Sequence, residues 1–272
     1  MSFFSSNGFN INYTEEKNIT PQDVLFIHGN LASNEWWIPT IEQMRMDSSE
    51  DMGGTVVCAD WRGYGKSKGL ETKEDIDFQT YADDYIRLIE DREMKNVDVV
   101  GHSTGGMIAM MAIVKRPDLF RSCFFLDTVG PTGLNPELPT EAVLAHFEKM
   151  SQDKDYAKMV MAATIEGVDV NSPMFKELFE ITWNCDPVCW KGVPDVLCND
   201  IDFSEEVEKN WNLPSMIVHG EKDVVLPLKD SQELCESLPN SQFKALKDQG
   251  HSCNIENPKL FMSLLNDFWK TL

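Results

Sequence analysis

Short apolar, β-branched runs alternate along this chain with longer stretches whose apolar positions recur every three or four residues. The first pattern fits strands buried on both faces, and the second fits the helices that cover them. Strands are expected over residues 24–28, 55–59, 97–101, 122–126, 215–219 and 242–246. Helices are expected over 33–46, 78–91, 104–115, 228–238 and 258–270. Asn7-Gly8 supplies a tight turn for a short hairpin within about the first ten residues. The alternation predicts an α/β fold, an open, doubly wound, mostly parallel sheet with helices on both faces.

One segment breaks the pattern. Residues 129–213 contain no strand signal, only helical periodicity punctuated by prolines, with pieces expected over 139–150, 155–165, 173–183 and 187–197. A run of this length between two sheet strands reads as an inserted helical cap over a core domain made of residues 1–128 and 214–272. Most of its large apolar side chains, Trp183 and Trp190 among them, serve its own core. One face must still lie towards the sheet and line whatever pocket is beneath.

Composition narrows the partners. The 272 residues carry 24 basic and 45 acidic side chains, a net charge of −21, which repels phosphate backbones and anionic membranes. No apolar stretch approaches the roughly 20 residues that span a bilayer. The N-terminus has neither a basic region nor a long apolar run, so no signal peptide is expected. Seven scattered cysteines fit free thiols and a cytoplasmic location better than a disulfide frame. Cys185, Cys189 and Cys198 cluster without a C-x-x-C pair or a nearby histidine, so no metal is assigned to them.

The strongest chemical signal is Gly101-His102-Ser103-Thr104-Gly105, a G-x-S-x-G turn between a strand and a helix. That context lifts a serine hydroxyl off the strand end, and the helix that follows aims free N–H groups at the same point. A serine needs a base. Of the five histidines, His28 and His219 end apolar strands, His146 falls in the insertion, and His102 adjoins the serine and should point away from it. His251 sits in the loop before the last helix, at the carboxyl edge of the sheet, and is the natural base. Asp223, just after strand 215–219, gives the chain order Ser…Asp…His; Asp127, at the end of the preceding strand, is the alternative acid. Oxyanion donors are expected at the N–H of Thr104 and of Asn30, or of Leu31 if the turn after strand 24–28 is one residue longer. Leu31, Trp36, His102 and Trp183 are candidates to touch substrate. Cys253 lies two residues from His251. The glycine-rich run after strand 55–59 matches no nucleotide motif and reads as a turn held by Asp60 and Arg62.

Together, His28-Gly29, Asp60-x-Arg62-Gly63-x-Gly65-x-Ser67, Gly101-x-Ser103-x-Gly105-Gly106, Gly220-x-x-Asp223 and Gly250-His251 resemble the α/β-hydrolase superfamily in its capped, serine-esterase form. The resemblance implies a Ser103–His251–Asp223 triad, an acyl-enzyme intermediate, no cofactor, and 129–213 as a lid over the acyl pocket. Serine at the nucleophile position disfavours the branches that use aspartate there. The expected activity is hydrolysis of a small-to-medium apolar carboxylic ester by a monomer or homodimer, without nucleic acid or membrane partners. Thioesterase, lactonase, carbon–carbon hydrolase and cofactor-free haloperoxidase chemistry use the same triad, and a non-catalytic small-molecule receptor is the rival from another class.

Overall fold

The computed structural model describes residues 2–49, 52–134 and 140–272. Strand β1 (Ser2–Ser6) turns through Asn7 and Gly8, both at positive φ, into β2 (Phe9–Thr20). Then follow β3 (Val24–Ile27), α1 (Ile38–Asp47), β4 (Gly54–Ala59), α2 (Phe78–Asp91), β5 (Val97–His102), α3 (Thr104–Lys115) and β6 (Phe120–Leu126). After the helical insertion come β7 (Ser215–Gly220), α9 (Leu228–Ser237), β8 (Ser241–Leu246), the short α10 (Cys253–Glu256) and α11 (Pro258–Trp269). The insertion itself holds α4 (Thr140–Gln152), α5 (Lys154–Ala163), α6 (Pro173–Trp183), α7 (Cys189–Asn199) and α8 (Ser204–Asn210). The beginning of the first expected insertion helix, at Pro139, lies outside the described residues.

The eight strands form one sheet in the order β1-β2-β4-β3-β5-β6-β7-β8, antiparallel at β1–β2–β4 and parallel from β4 onwards. The period-two geometry of strands divides the core between two faces. Leu25, Ile27, Val57, Val99 and Phe125 pack with α2 and α3, whereas Val24, Phe26, Val56, Val100 and Phe124 pack with Trp37, Met44, Phe261 and Leu265 of the α1–α11 side. Because both faces are covered, these strands read as continuous apolar runs. β2 differs: Ile11 and Tyr13 are buried, while Glu15, Glu16 and Lys17 face outwards or are partly covered. It therefore extends the expected hairpin into a full strand beside β4. The helix expected at 33–46 begins as a 3₁₀ turn, Asn34–Trp37, capped by the Ser33 hydroxyl, and becomes α1 where Pro39 presets the first turn. Among the described residues no helix is long and apolar enough to cross a membrane, and all seven cysteines are free thiols.

Candidate active site

The turn after β5 holds a strained backbone. Ser103 adopts φ 54° and ψ −125°, a conformation that L side chains rarely take and that costs on the order of 1–3 kcal/mol. Its surroundings over-determine it. Ser103 N–H donates to Leu126 O at 2.9 Å, and Ser103 O accepts from the amides of Gly106 at 3.0 Å and Val129 at 3.1 Å. The flanking glycines are demanded by crowding: a Cβ on Gly105 would overlap the carbonyls of Ile27 and His28, and one on Gly106 would overlap Thr128. Ser103 thus sits at the N-terminus of α3, beside the end of β3.

His251 lies in the loop between β8 and α10, and that loop is pinned from three sides. Glu256 accepts from Gly250 N–H at 2.7 Å and Ser252 N–H at 3.1 Å, the two amides that bracket His251. His102 Nε2–H donates to the His251 carbonyl at 2.7 Å, and the two rings are 4.8 Å apart. His251 Nδ1–H donates to Asp223 Oδ2 at 2.7 Å. Asp223 is itself fixed, its Oδ1 accepting from the amides of Val225 at 2.6 Å and Leu226 at 3.2 Å. Burial works against its ionisation, but the charge and hydrogen bond of His251, with the Val225 amide, outweigh it and hold the carboxyl below its usual range. Ser103 and His251 are 7% and 6% exposed, so both are closed off from bulk water. Among the described residues no hydrogen bond joins them; His102, the neighbour of Ser103 in sequence, brings them together by packing on His251.

The loop after β3 completes the enclosure. Gly29 packs close enough to Ser103 that a Cβ on it would meet the serine Cβ at 3.0 Å. Asn30 Oδ1 accepts from Tyr64 Oη–H at 2.6 Å and from Leu31 N–H at 2.9 Å. The Oδ1 of Asn30 is therefore committed to Tyr64 and to the loop, and the Leu31 N–H is spent on it. Among the described hydrogen bonds, none uses the N–H of Asn30 or of Thr104. Leu31 carries φ 53°, and its carbonyl accepts from Thr182 Oγ1–H at 2.5 Å, tying α6 to this loop.

Other expected contacts fall elsewhere. His102 lies 2% exposed between Trp36, stacked at 6.4 Å, and His251, and forms a wall of the base's loop. Trp36 is buried at 4% exposure beside it. Trp183 stacks on Phe179 and meets Trp190 edge-on within the insertion, and no described contact joins it to Ser103 or His251. Asp60 holds its turn, accepting from Asn34 N–H, Lys66 N–H and Asn12 Nδ2–H, whereas Arg62 pairs with the buried Asp84 of α2. Burial pushes the thiols of Cys253, Cys185 and Cys189 up, which leaves them unreactive at neutral pH. Tyr64, Thr182, Glu256 and His219 have roles in placing the site that the motifs alone do not flag. Of these, Tyr64 falls inside the Asp60–Ser67 motif, His219 directly precedes Gly220, and Glu256 lies five residues past His251, whereas Thr182 is far from every motif in sequence.

Asp127, His219 and Asp223 are the described side chains that come closest to a metal-binding set, with ligand atoms within 4.8 Å of one another. Each already serves another partner: Gly220 N–H on Asp127, Ser231 Oγ on His219 and His251 on Asp223. The arrangement reads as a hydrogen-bonded network.

A model of the alpha/beta hydrolase family matches residues 24–264. The chain belongs to the alpha/beta hydrolase family. This alpha/beta hydrolase is 25% identical over 271 residues to the uncharacterized hydrolase YugF of Bacillus subtilis, across 98% of this chain and 97% of that protein. Its fold is similar to that of the esterase EaEST of Exiguobacterium antarcticum, with TM-score 0.87, 20% identity and 99% of each chain covered. It is also similar to a bromoperoxidase of Bacillus anthracis, with TM-score 0.82, 24% identity and 96% of each chain covered. Likeness at these identities establishes the fold alone.

Proposed function

We propose that this alpha/beta hydrolase is a serine esterase that cleaves a small-to-medium, largely apolar carboxylic ester through an acyl-enzyme. The observation that carries the reading is the strained Ser103, held at the N-terminus of α3 beside a His251 whose Nδ1–H is fixed on Asp223. Backbone strain maintained by so many contacts marks a position selected for something other than stability. In the proposed reaction Ser103 Oγ attacks the ester carbonyl while its proton passes to His251 Nε2. The charge on Asp223 orients and steadies the resulting imidazolium. The N–H groups of Asn30 and Thr104 receive the oxyanion, and the dipole of α3 adds to the field. His251 then protonates the departing alkoxide, activates water, and returns the proton to Ser103 as the acid leaves. No cofactor takes part in this scheme.

The helical insertion acts in this reading as a cap. Two bonds support that placement: Thr182 on the Leu31 carbonyl and Glu166 N–H on Glu256, at 2.5 and 3.0 Å. One reaches the oxyanion loop and the other the loop of the base.

The test is hydrolysis of p-nitrophenyl esters from acetate to laurate, wild type beside Ser103→Ala. Turnover that falls by about 10³-fold or more in the variant is expected, with a chain-length optimum at short to medium acyl groups. Undiminished hydrolysis by Ser103→Ala contradicts the reading. A folded wild type that ignores every ester but cleaves a vinylogous diketone would move the triad to carbon–carbon bond hydrolysis.

A further inference from the structure

Behind the His251–Asp223 pair lies a second carboxyl that the proposed reaction does not use. Asp127 directly follows β6, at φ 44° and with no exposed surface. Its N–H donates to Val218 O at 3.0 Å, and its Oδ1 accepts from Gly220 N–H at 2.8 Å, so it is clamped to the end of β7. Its Oδ2 is buried with no partner. An ionised oxygen left bare in an apolar interior is expensive, whereas a protonated one needs only an acceptor.

The titratable groups around Asp127 offer that acceptor and little else. His219, on β7, places Nδ1 3.6 Å from Asp127 Oδ1. Asp223 follows on the same strand's loop, within the 4.8 Å cluster, with His251 on its far side. Cys253 and Glu256 of α10 lie further out, one a neutral thiol and the other an acid. Among the described ion pairs, no lysine or arginine reaches Asp127 or Asp223. His219 supplies no charge either. Its Nε2 faces the Leu226 carbonyl at 3.2 Å and Asp223 Oδ2 at 3.3 Å and so carries the hydrogen, while Nδ1 accepts from Ser231 Oγ–H at 2.8 Å. That is the neutral tautomer, and burial drives its affinity for a second proton down.

Two carboxyls therefore share a buried site that no described lysine or arginine reaches, and both cannot be ionised. Their donors decide which one is. Asp223 collects the His251 ring N–H and two backbone amides, all of which favour its charge, and the His219 Nε2–H lies 3.3 Å from its Oδ2. Asp127 collects one amide. We infer that Asp127 is a neutral carboxylic acid that donates its proton to the Asp223 carboxylate, and so acts as a positioning residue for the group that orients His251. Burial first, and the charge of Asp223 second, raise the Asp127 carboxyl well above its ordinary value, in the same direction. The inference rests on the proposed roles of Asp223 and His251 for its kinetic consequence, and on geometry alone for the proton.

The experiment has two readouts on the full-length protein. Infrared spectra at pH 7 should show the C=O stretch of a buried, protonated carboxyl in wild type and its loss in Asp127→Asn. This band can be read whether or not any ester is turned over, so failure of the proposed activity and failure of this inference are separable. In kinetics, Asp127→Ala is expected to lower kcat about tenfold, the scale of one hydrogen bond to a charged group. Asp127→Asn, which still offers an acceptor to Gly220 and an N–H to Asp223, should recover most of that loss and leave the acid limb of the kcat/KM profile in place. Three results would overturn the inference. They are no carboxylic-acid band in folded wild type at pH 7, an acid limb displaced by about one unit to lower pH in Asp127→Asn, or a stoichiometric metal ion in the purified protein. The second marks the removal of a real charge; the third places a cation where the proton is assigned.

Discussion

Lowering the pH from about 8 to about 5 puts protons on histidines of the unfolded chain that the folded chain refuses. His28 is fully buried; its Nδ1–H donates to the Gly29 carbonyl at 2.8 Å, and its Nε2 accepts from the Trp61 backbone N–H at 3.2 Å. An imidazolium there would turn its second proton on that Trp61 donor. His102 has given Nε2–H to the His251 carbonyl, and its Nδ1 is buried with no partner for a second proton. Burial is the leading cause that pulls both down, from 6.5 to about 3. The unfolded state thus binds these protons below pH 6.5 and the folded state only near pH 3. Stability is complete above 6.5 and is lost as the pH falls from there. At pH 5 each group costs about 2 kcal/mol, so the pair removes about 4 kcal/mol relative to pH 8. That is a large share of the roughly 5–15 kcal/mol that holds a domain together. His219 acts in the same direction. Acid also relieves the self-repulsion of a chain with net charge −21, so the clean measurement is a difference between two proteins that share that relief. Urea unfolding, followed by tryptophan fluorescence at pH 8, 7, 6 and 5, is compared for wild type and His102→Gln, which keeps an N–H for the His251 carbonyl but cannot titrate. The stability lost between pH 8 and 5 should be about 2 kcal/mol smaller in the variant. Equal losses in the two proteins would refute the reasoning.

Two further outcomes follow from the site. Asp223→Asn, folded by circular dichroism, should lose about 10³–10⁴-fold in kcat on any ester the wild type cleaves, because the charge that holds the His251 tautomer is gone; a loss under about tenfold would transfer the acid's role to Asp127. Gly105→Ala drives a methyl into the backbone carbonyls of Ile27 and His28, atoms of the sheet that cannot rotate aside. It should destabilise by about 1–3 kcal/mol or more, read as a drop of roughly 2–4 °C in Tm per kcal/mol, and an unchanged Tm would count against the packing described here.

The parallel half of the sheet was legible because burial on both faces leaves a continuous apolar signature, as in Val24–Ile27 and Val97–Val100. β2 was not, beyond its first residues, because Glu15, Glu16 and Lys17 follow one another, put charge on both of its faces and mimic a loop. α8 escaped for a similar reason: Val207 is its single buried residue. Ser103 announced itself through glycines that crowding requires, and those requirements are local in sequence. Chain order and the strand-end turn favoured Asp223 as the partner of His251 while leaving Asp127 open, and the structure places Asp223 on His251 Nδ1. What strand order does not carry is the long-range polar support: Tyr64 on Asn30, Thr182 on Leu31, and His102 under His251. His102 was expected to point away from Ser103. Trp36 and the His251 loop fold over its ring and make it part of the wall.

The central claim is that Ser103 is the nucleophile, and its most direct test is covalent. A fluorophosphonate probe should label the protein once, on the peptide that contains Ser103, with loss of esterase activity in proportion, and should leave Ser103→Ala unlabelled. Labelling of another residue, or full activity in protein quantitatively labelled at Ser103, would contradict the account.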